Sequence, residues 1–143
     1  MPYRYRDDIA IADAAFEAWG SSREEMFAAA ADALLNVMVE DQTVVRPDQS
    51  LEVRLENGDL EMLLFDFLNE LIFFKDARRL LLRVASIDIS RNGVTITLQA
   101  TLRGELVDRL RESLHADVKA VTLHRFSVEE RDGAWRAEVV LDI

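Results

Sequence analysis

Cysteine is absent from this chain of 143 residues. Disulfides, thiolate zinc sites and cysteine nucleophiles are therefore excluded. Glycine and proline are scarce, at five and two residues. Gly20, Gly58, Gly93, Gly104 and Gly133 stand singly, so there is no glycine-rich loop to cradle a phosphate. Only two histidines occur, His115 and His124, and they are not spaced like metal ligands. Ser21 and Ser22 read as helix-capping residues, which leaves a serine–histidine–acid triad without support. No apolar run is long enough to span a membrane. The first eight residues carry no apolar core of a signal peptide. The expectation is a soluble cytoplasmic protein with no membrane association. Basic residues are outnumbered 17 to 27, a net charge of −10. An acidic surface repels phosphate backbones, so no direct nucleic-acid binding is expected, and a basic protein partner or a cation suits the charge better.

Half of the residues are hydrophobic, the composition of an ordinary core. The length predicts a single domain over residues 1–143, burying roughly two-thirds of its unfolded surface. Ala14 to Trp19 reads as a short strand ending at Gly20. Ser21 and Ser22 before Glu24 and Glu25 form a doubled capping signal for a helix running to about Val39. Its apolar face carries Met26, Phe27, Ala30, Ala33, Leu34, Val37 and Met38 at helical spacing. Leu51, Val53 and Leu55 alternate with Glu52, Arg54 and Glu56 as a half-buried strand. After Asn57-Gly58-Asp59, a second helix spans about Leu60 to Lys75, with Leu64, Phe67, Leu68, Leu71 and Ile72 inward. Leu80 to Ile89 and Val94 to Leu102 are strands joined through Arg91-Asn92-Gly93, a hairpin signal. An irregular stretch, Val107 to Leu114, holds one helical turn. Val118 to Glu129 and Ala134 to Asp142 are the last strands, joined at Arg131-Asp132-Gly133. This order predicts an α+β fold: a mostly antiparallel sheet with two main helices packed on one face.

Carboxylates are the one chemical reagent present in quantity. Most belong to a solvated surface, Asp7 and Asp8 among them. Asp13 differs because it lies among Ile11, Ala12, Ala14 and Ala15, where a buried acid needs a partner. It could equally cap or turn the chain entering the first strand. At the other end, Ala137, Val139 and Leu141 alternate with Glu138, Val140 and Asp142 up to Ile143. That spacing brings the Asp142 carboxylate close to the terminal carboxylate of Ile143. The pair is either hydrated at an ordinary strand end or bridged by a divalent cation. His124 reads as a strand histidine and His115 as a loop residue near Asp117 and Lys119. Trp19 and Trp135 read as packing residues at strand ends, with Trp135 partly exposed beside its hairpin.

Four segments, taken together, resemble the archease family: Ala12–Gly20 before the capped helix, Leu63–Leu71, Asp117–His124, and the closing Val-Val-Leu-Asp-Ile143. They fall in the family's order across nearly the whole chain. The resemblance implies a protein cofactor rather than an enzyme. Archeases assist the GTP-dependent RtcB-type RNA ligase in tRNA splicing and RNA repair, promoting its guanylylation and repeated turnover. The family's divalent cation is held by an Asp near the N-terminus, the penultimate Asp and the terminal carboxylate. By position these are Asp13, Asp142 and Ile143. An all-oxygen set suits calcium first, with magnesium or manganese as alternatives. Three ligands leave open positions on such a cation. One departure is that Ala10-Ile11 stands where the family usually has His-Thr. Glu105 and Lys119 occupy family-like positions and are candidate ligase contacts, with surface solvation the alternative for both.

Two other function classes stand beside this one. A metal-dependent hydrolase of a small phosphorylated substrate would need a general base and a phosphate cradle, and neither is visible. A metal-free, chaperone-like interaction domain would bind its partner regardless of chelator.

Overall fold

The computed structural model describes residues 2–6 and 14–143. Its strands are β1 (Tyr3–Tyr5), β2 (Ala14–Gly20), β3 (Gln49–Asn57), β4 (Leu80–Asn92), β5 (Thr95–Leu106), β6 (Ala120–Arg131) and β7 (Ala134–Asp142). Its helices are α1 (Arg23–Met38) and α2 (Leu60–Arg78). Two short 3-10 turns, Val107–Arg109 and Arg111–Ser113, occupy the stretch where a single helical turn was expected.

Local chemistry explains the element ends. The Ser22 side chain accepts the Glu25 backbone N–H at 3.1 Å, capping α1. The Glu25 carboxylate reaches back one residue further than a standard capping box, accepting from the backbone N–H and the hydroxyl of Ser21 at 2.8 and 2.7 Å. Asp59 caps α2 by accepting from Glu61 N–H at 2.9 Å. Asp132 and Gly133 both have positive φ, 55° and 78°. That is the sign pattern of a type I′ hairpin turn, which the Asp-Gly pair favours and whose twist matches the flanking strands.

The antiparallel α+β reading holds, but the strands divide into two sheets rather than one. β1-β2-β7-β6 form a four-stranded sheet and β3-β5-β4 a three-stranded one. Every strand pairing is antiparallel. Each helix packs against both sheets. α1 lies on β2 of the larger sheet and β4 of the smaller, and α2 lies on β6 together with β3 and β4. This placement explains why α1 buries more than one stripe: Ala29, Ala31 and Leu35 are buried beside the seven positions on its main apolar face. A stack of Phe27 on Phe67, with ring centroids 6.1 Å apart, joins the two helices at the centre of the core.

β6 is not the continuous strand that its sequence suggests. Thr122 pairs with Val140 and Ser127 with Glu138, so residues 123–126 stand opposite the single residue Val139. Arg125 adopts the left-handed region at φ 54°. Leu123, His124 and Arg125 are consequently exposed, while Phe126 turns inward and meets Phe65 edge-on at 5.6 Å. No described helix is long and apolar enough to cross a membrane.

Candidate functional site

β7 carries Asp142 at its last position, hydrogen-bonded on both sides almost to the end. On one side Ala14 of β2 pairs with Leu141. On the other, Ala120 of β6 pairs with Asp142, and the Lys119 N–H donates to the Asp142 carbonyl at 2.8 Å. Asp142 is exposed, and its side chain makes no hydrogen bond or ion pair among the described residues. Ile143 is 38% exposed. Asp13, the residue bonded to Ala14, lies outside the described residues, as do Asp7, Asp8 and the Ala10-Ile11 pair. Among the described residues, no three Asp, Glu or His side chains gather as a metal-binding group.

The two candidate contacts differ sharply. Lys119 is exposed, one residue before β6. Glu105, opposite Leu81 in the β5–β4 pair, is only 4% exposed and makes no hydrogen bond or ion pair among the described residues. A carboxylate so covered offers a partner little surface. Lys119 is therefore the better placed of the two. The histidines stay apart: His124 is exposed on the β6 bulge, and the His115 N–H donates to the Met38 carbonyl at 2.8 Å.

Two charged clusters escaped the sequence reading. Glu17 is 6% exposed on the face of β2 turned away from the core. It accepts from Arg4 Nε at 2.7 Å, Arg6 Nη1 at 2.5 Å and Arg136 Nη2 at 2.9 Å. Burial alone would push its carboxyl up, but the surrounding guanidiniums outweigh burial and hold it below the usual carboxylate range. A signal existed, since Glu17 interrupts an apolar run as Asp13 does. Its partners, however, come from β1, the residue after it, and the far end of the chain.

The second cluster surrounds Lys75, 7% exposed, whose Nζ lies 2.5 Å from Asp117 and 2.7 Å from Asp76. Burial favours the neutral amine, but the two carboxylates more than offset it and raise the Lys75 pKa. Lys75 sits three and four residues beyond Ile72 and Leu71 on the inward stripe of α2, so its burial was readable from spacing.

Comparison with known proteins agrees with the fold. The Archease protein family model matches residues 3–143. The archease of Methanopyrus kandleri is 36% identical over 132 residues, covering 92% of this chain and 94% of the relative. That of Archaeoglobus fulgidus is 33% identical over the full length of both chains. The solution structure of Methanobacterium thermoautotrophicum protein 1598 superposes with a TM-score of 0.82 at 30% identity, covering 99% of each chain. A crystal structure from Thermotoga maritima, described as an archease and possible chaperone, shares the fold at TM-score 0.65 and 23% identity, covering 96% of each chain. The chain belongs to the archease family.

Proposed function

We propose that this protein is an accessory factor of a GTP-dependent RtcB-type RNA ligase, promoting the ligase's guanylylation and multiple turnover in tRNA splicing or RNA repair, and is not itself an enzyme. The proposal includes a divalent cation, calcium or else magnesium or manganese, held by Asp13, Asp142 and the terminal carboxylate of Ile143. Membership of the archease family supports the general reading. The observation that carries the site is the Asp142 carboxylate, exposed at the end of a hydrogen-bonded strand and unpaired among the described residues. The last described β2–β7 pair is Ala14 with Leu141, and the next residues in sequence are Asp13 and Asp142.

The donor chemistry fits a hard cation, because carboxylate oxygens are the ligands such ions prefer. No described lysine or arginine competes for Asp142. A bound cation would neutralise the carboxylates and present open positions to a partner. Asp142 and Ile143 would orient it from the held strand, and exposed Lys119 would meet the ligase beside it.

The test is a guanylylation assay of the cognate ligase with the intact protein, the Asp142→Ala variant and a variant extended past Ile143. Both variants should lose cation binding, followed by calorimetry, and lose stimulation. Full stimulation by either overturns the metal-centred reading. The Thermotoga maritima relative is described as a possible chaperone, and a chaperone role without metal would instead leave partner binding unchanged by chelator.

A further inference from the structure

The other end of the same sheet face carries a cleft that the ligase reading does not use. Trp19 on β2 stands directly opposite Arg136 on β7, and Arg4 on β1 is its diagonal neighbour through the Arg4–Glu17 pair. With Arg131 from the end of β6 and Trp135 beside the hairpin, these residues line an open cleft of about 540 Å³. That volume is within the range of small-ligand pockets. Both tryptophans of the chain are on its wall.

Three features define what fits. First, Trp19 is 37% exposed, and no described guanidinium or ring stacks on it; among the described residues the guanidinium–ring contact is Arg78 on Phe74. A partly exposed indole that no described ring or guanidinium covers is what a stacking platform requires. Second, Glu17 anchors Arg4 through Nε and Arg136 through Nη2, which orients both guanidiniums and leaves each with unused donors. A pre-oriented guanidinium fork matches a phosphate. Third, Glu129 and Asp132 stand at the rim as acceptors for sugar hydroxyls or base N–H groups. Glu17 already accepts from Arg4 and Arg136, so of the three arginines Arg131 is the one that makes no ion pair among the described residues. A neighbouring hollow that shares Trp19, Asp132 and Ala134 is lined by Glu25 and Asp32 and by no arginine, so the arginine cleft suits an anion better.

We infer that this cleft binds a nucleotide, with its base stacked on Trp19 and its phosphate held by Arg4, Arg131 and Arg136. A ligand needs both a flat aromatic face and a negative charge to use everything the cleft presents. A free phosphate would leave the indole unused, and an uncharged nucleoside would leave the arginines unused.

The experiment is a fluorescence titration of the full chain carrying Trp135→Phe, so that Trp19 alone reports. Guanosine monophosphate and adenosine monophosphate should quench it saturably, with affinity falling as salt rises. Arg131→Ala leaves the Glu17 cluster intact and should weaken binding about tenfold, the loss of one charge-assisted phosphate contact. Arg136→Lys, which keeps the charge but not the fork, should weaken it as well. Circular dichroism of each variant confirms folding. Two results overturn the assignment: no saturable change up to about 5 mM nucleotide, an affinity below what a stacked and charge-paired ligand should reach, or equal affinity for inorganic phosphate or guanosine alone.

Discussion

The Lys119 amide donates to the Asp142 carbonyl at 2.8 Å, so the sheet grips the backbone of the very residue whose carboxylate is proposed as a ligand. Backbone and side chain therefore do separate work at this position. Asp142→Ala removes the carboxylate without touching the ladder. Its unfolding free energy from urea titration should match the wild type within about 0.5 kcal/mol, as for an exposed substitution, while calorimetric cation binding disappears. A large stability loss would mean that the side chain has a structural role instead.

Glu17 makes stability depend on acid. Its carboxyl is held below its usual value, so its contribution is fully present above the unfolded value and is lost as pH falls through the lower folded one. Arg4 and Arg136 are about half exposed, which screens the interaction and limits its worth. Glu17→Gln should cost about 1–2 kcal/mol at pH 7. Denaturant titrations from neutral pH down through the carboxylate range should show a shallower acid slope in the variant than in the wild type.

Lys75 acts in the opposite sense, because its folded pKa is raised. Its contribution is fully present below the unfolded lysine value of 10.5 and is lost as pH rises through the higher folded one. Lys75→Met keeps the apolar stem and removes the charge. Stability of the wild type should fall more steeply than that of the variant above about pH 10, as read by chemical denaturation.

Gly104 is required by close approach. A Cβ there would run into the backbone of Leu81 and Leu82 on the paired strand. Backbone cannot swing aside as a side chain can, so β4 and β5 would have to separate locally. Gly104→Ala should cost more than about 2 kcal/mol, the scale of overpacking against a rigid neighbour, measured by urea unfolding.

Phe67 stacks on Phe27 where the two helices meet, with no exposure of either ring. Phe67→Ala should cost about 3–5 kcal/mol, the loss of a buried aromatic plus its cavity. Thermal unfolding checks this, and a small effect would show that the two helices repack.

Which features could be read in advance follows from their range along the chain. Ser22 as the cap of α1, Asp132-Gly133 as a tight turn and the alternation of Ala137, Val139 and Leu141 depend on neighbours within a few residues. Backbone sterics, capping geometry and side-chain period decide them locally. The four family-like segments, too, are linear strings. By the same reasoning the amino-acid sequence determined the element types, the antiparallel α+β class and the acidic character of the surface.

Tertiary structure alone decided the split into two sheets, the β6 bulge and the gathering of distant charges. Arg136 reaches Glu17 across 119 positions, and Lys75 reaches Asp117 across 42. Those meetings exist only in one strand register and one helix placement; a slip of one residue would turn Glu17 and Trp19 to the opposite face. Register is selected by the whole core at once, since Phe16, Ala18, Val139 and Leu141 must all face the helices together. The ladder that brings Asp142 to the end of a held strand is the product of that same selection, and no short stretch of residues contains it.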